Sequence, residues 1–254
     1  MKHIQMKTTL GGIAALWLLA GGLTTMLYAS EPAGGELTPG AILDKVRANY
    51  AALVSYSDQG TVVAALNATT TTTTFDIRLA RQNFYLVRWT QDGDASVSTD
   101  TVHIGKVWSS GADNFLQLED VPHDEGSVEL TLGLASPYSA GVTATVPMIF
   151  FDGQLGDALG SSTDVETRQA DAKVGKVDCY VVSRESLVHR KTFWIGKDDL
   201  LIHKIQTIAT VDDAAVTAGE FNRKAKGSQH PVIYTETHNN ILVNQALQRS
   251  DFIP

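Results

Sequence analysis

The feature that most constrains the fold is an alternation of apolar and polar side chains with a period of two. Within Thr69–Ala80, one side of an extended chain carries Phe75, Ile77 and Leu79, and the other carries Thr74, Asp76 and Arg78. Within Tyr56–Leu66, the two sides carry Tyr56, Val62, Ala64 and Leu66 opposite Ser57, Gln59 and Thr61. β-Branched and aromatic residues favour strands, so both segments are predicted to be strands with one buried face.

The same kind of segment recurs along the chain with turn residues in between. Further strands are predicted at Phe84–Trp89, Val97–Trp108, Asn114–Leu118, Val165–Ala170, Val177–Arg184, Lys191–Ile195, Leu200–Val211 and Val232–Val243. Short connections between such strands are typical of antiparallel meanders. The sequence therefore predicts an antiparallel sheet of about ten strands with one apolar face.

Helical patterns precede and interrupt these strands. Thr38 and Pro39 suit the start of a helix, and apolar residues then recur at helical spacing as Ile42, Val46, Tyr50 and Leu53. A second helix is predicted over Gly126–Ser136, followed by an apolar segment with prolines that ends at Phe151, and a helical turn is expected near Gly153–Leu159. The tail Ser250–Pro254 is expected to pack back on the body through Phe252.

The N-terminus has the order of a secretory signal peptide. Lys2 and Lys7 precede an apolar run from Leu10 to Leu27, and small residues follow at Ala29 and Ser30. Cleavage after Ala29 or Ser30 is expected, and an uncleaved anchor is the alternative, because the run is long enough to span a bilayer core. Either way, we expect residues 31–254 to lie outside the cytoplasm, as one domain of about 220 residues.

The charge and the motifs of the chain exclude several classes of function. The formal charge of −8 becomes −10 when residues 1–30 are removed, because they hold two lysines and no acidic residue. Such a body is not suited to nucleic acid or anionic lipid surfaces. The lone Cys179 allows no internal disulfide and is interpreted as a small buried hydrophobe. No nucleophile motif or phosphate loop is present. The densest cluster of possible metal ligands, at residues 123–125, lacks the convergent spacing of a metal site, so no enzyme, cofactor or metal is expected.

Four segments in a fixed order resemble the LolA/LolB-like superfamily, the periplasmic outer-membrane lipoprotein carriers. They are the helix Ile42–Tyr50, the strand Tyr56–Val62, the hairpin Lys191–Ile205 and the last strand Tyr234–Gln245. The resemblance is closer to uncharacterised bacterial relatives than to the carrier itself. No residue here matches the functional arginine of that carrier.

The resemblance implies a fold and a ligand. The fold is α+β, mainly antiparallel β: a strongly curved, unclosed barrel with an N-terminal helix and a helical lid. Members hold acyl chains or other apolar ligands on the concave face of the sheet, so a lipid-binding or carrier protein is expected. The residues expected to line the ligand site are Val62, Leu66, Phe75, Ile77, Leu79, Val87, Trp89, Met148 and Phe150.

Two alternatives stay open. The first is an envelope regulator or sensor that binds another envelope protein through a sheet edge or through the loop Asp212–His230. The second is a hydrolase whose catalytic residues converge from distant strands.

Overall fold

The first helix of the described residues begins at a local capping signal. In a computed structural model, helix α1 starts at Pro39, and the hydroxyl oxygen of Thr38 accepts a hydrogen bond from the N–H of Ala41 at 3.2 Å. Proline suits this first turn because its missing N–H would have no partner there. The structure describes residues 36–67, 69–92, 103–118, 121–151, 159, 164–186, 189–212 and 229–254.

The described part of the chain contains three α-helices and eleven strands. The helices are α1 Pro39–Ala52, α2 Val128–Ala135 and α3 Val146–Phe150. The strands before α2 are β1 Ser55–Leu66, β2 Thr69–Ala80, β3 Phe84–Gln91, β4 His103–Ser110, β5 Asn114–Gln117 and β6 His123–Asp124. The strands after α3 are β7 Val165–Val174, β8 Val177–Glu185, β9 His189–Gly196, β10 Ile202–Asp212 and β11 Gln229–Val243. Short 3-10 helices lie at Val142–Ala144 and Arg249–Phe252.

All eleven strands belong to one antiparallel sheet. Their order is β6-β5-β4-β3-β2-β1-β11-β10-β9-β8-β7, so each meander is a run of sequence neighbours, and the two runs meet where β1 pairs with β11. Strands β6 and β7 form the two edges, and the described strands leave the sheet unclosed. The predicted α+β class, the antiparallel sheet and the unclosed barrel with a few helices are confirmed.

A bulge in the central pair sets which side chains of β11 face the helices. Strand β11 has one residue more than β1 between two aligned pairs, Ser57 with Leu242 and Gln59 with Asn239. Asn240 takes up the extra residue with a left-handed backbone, φ 53°, which asparagine tolerates better than most residues. Glu236 and His238 are buried before the bulge, and Val243 packs against the core after it.

One face of the sheet carries the hydrophobic core. We call it the helix-covered face, and it includes Tyr56, Ile77, Val87, Phe193 and Ile205. Helix α1 packs on it through Ile42, Leu43, Val46 and Tyr50. The segment Val128–Phe151, which contains α2 and α3, adds Leu132, Val142, Val146, Ile149 and Phe150 to the same core. We call this segment the cover.

The C-terminal tail covers part of the opposite face. Phe252 is buried, and its ring centroid lies 5.5 Å from that of Phe84 on β3. The guanidinium of Arg249 donates to the carbonyl of Ser110 at 3.1 Å. The expected packing of Phe252 on the body is confirmed.

The element predictions differ from the structure mainly at their ends. Helix α2 begins two residues later and ends one residue earlier than the predicted helix Gly126–Ser136. Its start is set by Ser127, which is the N-cap. The two-residue strand β6 was not predicted, since His123 and Asp124 are too few to show a period. The signal segment, the N-terminal part of Val97–Trp108, most of Gly153–Leu159 and most of Asp212–His230 lie outside the described residues. Among the described helices, none is both long and apolar enough to cross a membrane.

Candidate functional site

The residues expected to line a ligand site lie on the helix-covered face or in the cover. Seven are buried: Val62, Phe75, Ile77, Leu79, Val87, Trp89 and Phe150. Leu66 and Met148 are half-buried. Seven of the nine lie on strands β1, β2 and β3, and all of these except Leu66 occupy adjacent rows of the sheet. Phe75 pairs directly with Trp89. In this structure the cover packs on these rows, so the apolar face is in contact with protein.

Two glycines leave room for aromatic rings on this face. Phe75 lies over Gly60 of β1, and Trp89 lies over Gly105 of β4. A Cβ atom at either glycine would overlap the ring of its neighbour, so a larger residue would displace the ring. Glycine in a strand commonly marks such a close approach.

Three ionisable side chains meet in the centre of this apolar face. Nδ1 of His238 hydrogen-bonds to Oδ2 of Asp58, and the side chains of both residues are fully buried. Nε2 of His238 lies 3.2 Å from Oε1 of Glu236, whose side chain is 6% exposed. The hydroxyl of Tyr56 donates to Oδ2 of Asp58 at 2.7 Å. We call Asp58, Glu236 and His238 the buried ion cluster.

The cluster keeps His238 charged. Burial alone would lower the pKa of His238, but the nearby carboxylates of Asp58 and Glu236 outweigh it and raise the pKa to about 10. Burial and the charge of Asp58 both raise the pKa of the Tyr56 phenol, so this group stays neutral. Burial also raises the pKa of Tyr50, whose hydroxyl accepts the N–H of Ile202 at 3.1 Å. The site therefore holds one imidazolium between two carboxyl groups, beside neutral phenols.

The buried ion cluster contacts the cover at the start of α3. Thr145 precedes this helix, and its hydroxyl donates to Oε1 of Glu236 at 2.7 Å. The same hydroxyl lies 2.8 Å from the carbonyl oxygen of Val142. Glu236 therefore accepts a hydrogen bond from the cover while it lies beside His238 in the sheet.

Arg81 contacts the other end of α3. It follows β2, and its guanidinium donates to three main-chain carbonyls: Leu53 at 2.8 Å, Phe150 at 2.7 Å and Tyr50. Its Cζ atom also lies 4.1 Å from the centre of the Phe150 ring. Carbonyls at helix ends lack partners within the helix, and a cation there is favourable. Arg81 therefore joins the C-terminal ends of α1 and α3.

The burial of the helix-covered face changes between two neighbouring rows. One row, across β9, β10, β11, β1 and β2, consists of buried residues: Phe193, Ile205, Glu236, Val62 and Thr73. The next row consists of half-buried residues: Lys191, Thr207, Tyr234, Ala64 and Thr71. We call the second one the rim row. It carries an ammonium group and three hydroxyls, whereas most of the buried row is apolar.

Sequence reasoning missed the polar part of this site. Asp58 occupies a position of the alternation between Tyr56 and Gly60, which are both buried, and this parity is the signal for its burial. The bulge at Asn240 interrupts the alternation next to His238, so no such signal exists there. Arg81 follows the last residue of a predicted strand, where a surface turn is the ordinary interpretation. The expected burial of Cys179 is confirmed, and burial raises the pKa of its thiol.

No protein-family profile and no curated protein matches the sequence. Solved structures similar to this chain include a LolA superfamily protein from Nitrosomonas europaea, with 10% identity, a TM-score of 0.34 and coverage of 86% of this chain and 99% of that one. The LolA superfamily, which the sequence motifs resemble, is thus among the structural neighbours of this chain.

Two further solved structures similar to this chain are a DUF1329 family protein and MucB. A DUF1329 family protein from Desulfovibrio piger has 15% identity and a TM-score of 0.35, with coverage of 85% of this chain and 97% of that one. MucB has 11% identity and a TM-score of 0.45, with coverage of 87% of this chain and 64% of that one.

Proposed function

We propose that this protein binds or carries lipid, acyl chains of lipoproteins or another apolar ligand in the periplasm, on the helix-covered face beneath the cover. One observation carries the proposal. The apolar face of an unclosed sheet is covered by short helices, and its polar contacts with α3 lie at the two ends of that helix. A face closed by a second sheet would have no such separable element.

The energetics of exchange favour an apolar guest. Each buried methylene contributes roughly 0.8 kcal/mol, so about ten carbons of an acyl chain gain several kcal/mol after the cost of ordering. Ile149 and Phe150 make apolar contacts on this face that an acyl chain could replace. The ligand therefore exchanges one set of apolar contacts for another, and the cost of opening is concentrated in the contacts at the two ends of α3.

Opening of α3 requires two different polar contacts to break. At its start, the hydrogen bond between Thr145 and Glu236 is lost. At its end, Arg81 releases the carbonyl and the ring of Phe150. Since helix α3 has only five residues, it has little stability of its own once these contacts are gone.

Uptake of a fluorescent fatty acid tests the proposal. Delipidated protein is expected to bind an acyl-chain probe, and organic extracts of freshly purified protein are expected to contain lipid by mass spectrometry. Thr145→Val removes the hydroxyl that contacts Glu236 and should speed uptake severalfold. Thr61→Val, which changes an outward-facing threonine of β1, is the matched control. Protein that purifies without lipid and takes up no probe would contradict the proposal.

Export is part of the same proposal. We propose that residues 1–30 are removed when the protein is exported, which places the remainder in the periplasm. The intact mass of protein recovered from a periplasmic extract should then correspond to a chain that begins at Ser30 or Glu31. A mass of the full chain recovered with the membrane fraction would show that the segment stays as an anchor.

A second candidate function rests on the edge strand β7. This strand spans Val165–Val174, pairs only with β8 among the described strands, and leaves Val165 67% exposed. Such an edge can pair with an extended segment of another envelope protein. A pull-down that recovers one partner, and loses it when Thr167→Pro is introduced into the edge, would favour this function over the carrier function.

A further inference from the structure

The rim row places a cation at the border of the apolar face. Lys191 lies on β9 two residues before Phe193, so both side chains belong to the same face of the sheet. Phe193 is buried in the core, whereas Lys191 is half-buried. The ammonium group thus lies where a molecule bound along the apolar face would reach the less covered part of the sheet.

The two nearest neighbours of Lys191 in the rim row carry hydroxyl groups that can donate hydrogen bonds. Thr207 pairs with Lys191, Tyr234 pairs with Thr207, and Thr71 lies two strands further along. Burial raises the pKa of the Tyr234 phenol, so this hydroxyl keeps its proton. The ammonium group of Lys191 and the hydroxyls of Thr207 and Tyr234 on the next two strands are suited to an anion with several oxygen atoms. Thr71, four strands or about 19 Å from Lys191, is too far away to share it.

The acidic groups near Lys191 are already engaged. Glu236 and Asp164 interact electrostatically with Lys191, but none of the ion pairs between described residues involves it. Glu236 lies beside His238 and accepts the hydroxyl of Thr145. Arg184, which pairs with Lys191 across β8 and β9, forms an ion pair with Glu166 at 2.9 Å.

Burial is costly for the Lys191 ammonium. Loss of hydration lowers its pKa, and Glu236 and Asp164 offset only part of this effect. An anion bound at the rim row would restore the missing partner, because a charge removed from water is stabilised by a hydrogen-bonded counter-ion. A neutral apolar ligand would supply no counter-ion to the ammonium group.

We infer that the ligand is an amphiphile with an acyl chain and an anionic head, and that Lys191 binds this head while the chain lies against the buried row. The inference rests on the proposed carrier function and names its ligand class. The shared chemistry is a carboxylate or a phosphate with oxygen atoms that accept from Lys191 and the rim hydroxyls. Lys191 therefore selects the head, and the apolar face holds the chain.

Three ligands with the same chain test this inference. Hexadecanoate, hexadecyl phosphate and hexadecanol are titrated at pH 8 against delipidated protein, and each displaces the neutral fluorescent probe N-phenyl-1-naphthylamine. We expect at least one of the two anions to bind about tenfold or more tightly than hexadecanol, the ratio typical of one charge-assisted hydrogen bond. The tighter of the two anions identifies the head as carboxylate or phosphate.

Two lysine variants locate the effect. Lys191→Met keeps roughly the length of the side chain without its charge. In this variant the anions should bind about as tightly as hexadecanol, and the affinity for hexadecanol should not change. Lys204→Met is the control, because Lys204 lies on the opposite face of β10 with Nζ 4.3 Å from the centre of the Trp194 ring. This variant should keep the preference.

The outcomes separate the two proposals. Equal binding of all three ligands by the unchanged protein, or a preference that survives in Lys191→Met, overturns the role of Lys191 and leaves the carrier function standing. A protein that binds none of the three ligands overturns the carrier function itself. Retained binding of hexadecanol by Lys191→Met shows that the variant is folded.

Discussion

The imidazole of His238 hydrogen-bonds to the carboxylate of Asp58, and these two side chains are withdrawn from solvent although 180 residues separate them in the sequence. The contact joins β1 to β11, the two strands at which the meanders meet. Its environment is apolar: the ring of Phe75 lies 5.5 Å from that of His238 in an edge-to-face arrangement. An ion pair in such a place is stable only as a complete set, because each partner alone is a buried charge.

Removal of the imidazolium should therefore be costly. His238→Gln leaves Asp58 and Glu236 without their shared cation, and we expect a loss of about 3 kcal/mol or more in the free energy of unfolding. His203→Gln is the control: it removes a histidine whose partner, Asp199, keeps 41% of its side chain exposed, so a smaller loss of about 1 kcal/mol is expected. Denaturant unfolding at pH 7 measures both. Equal losses would show that the buried ion cluster contributes no more than the partly exposed pair His203–Asp199.

The stability of the protein should depend on pH through the same histidine. In the unfolded chain histidine titrates near pH 6.5, and in the folded protein the pKa of His238 is about 10. A raised folded pKa gives stability that is fully present below pH 6.5 and is lost as the pH rises towards 10. We expect the unfolding free energy to fall between pH 7 and 9.5 with a slope of up to about 1.4 kcal/mol per pH unit.

The variant His238→Gln is the control for this slope. It lacks the group that titrates, so its unfolding free energy should change much less between pH 7 and 9.5. The phenols of Tyr50 and Tyr56, whose pKa values are raised by burial, begin to reduce stability only nearer pH 10. Parallel slopes in the two proteins would assign the pH dependence to other groups.

Arg81 should hold the end of α3 against the sheet. Arg81→Met removes the donors to the carbonyls of Tyr50, Leu53 and Phe150 but keeps an apolar side chain. A hydrogen bond to a charged group contributes up to roughly 1.5–3 kcal/mol. Arg81 is only half-buried, and solvent screening reduces each of its three bonds, so we expect a loss of about 3 kcal/mol in unfolding free energy for the whole set. Hydrogen exchange should also become faster at the amides of α3, because the contact at Phe150 is gone.

Two further variants make the Arg81 result specific. Arg81→Lys should recover only part of the loss, because an ammonium cannot reach three separate carbonyls in the fork geometry of guanidinium. Arg190→Met removes an arginine from a surface pair with Glu185, and little change in stability is expected. If α3 exchanges at the same rate in Arg81→Met as in the unchanged protein, Arg81 does not hold this helix.

The helix α1 and the strand β2 could be predicted from the sequence because their signals are local. Thr38 and Pro39 mark the helix start, and the threonine-rich alternation over Thr69–Ala80 matches β2 at both ends. The buried ion cluster could not be predicted from the sequence, because it depends on the register between β1 and β11. The bulge at Asn240 sets that register, and no pattern in either strand shows where its partner will align.

The sequence also predicts only part of what can be said about the residues expected to line the ligand site. Alternation assigns Val62, Ile77 and Val87 to one face, and the structure buries all three on the helix-covered face. Whether a ligand or the cover contacts them depends on the packing of Val128–Phe151, whose mixture of helical turns, glycine and proline has no single period. Their role in ligand binding therefore stays a prediction.

The two kinds of glycine in the fold should respond to alanine in opposite ways. Gly60 lies under the ring of Phe75, and a Cβ atom there would overlap that ring and the carbonyl oxygen of Thr237. Gly60→Ala forces these groups apart in a packed core, so a loss of about 2–3 kcal/mol in unfolding free energy is expected. Gly133 lies inside α2, and a Cβ atom there would have no neighbour within 4 Å.

Gly133→Ala is thus the matched control for Gly60→Ala. Alanine is better than glycine inside a helix by roughly 1 kcal/mol, and nothing opposes it at this exposed position, so the variant should gain stability. Thermal or denaturant unfolding of the two variants gives the comparison. If Gly60→Ala is tolerated as well as Gly133→Ala, the ring of Phe75 is free to move, and the helix-covered face is less tightly packed beside His238 than its contacts indicate.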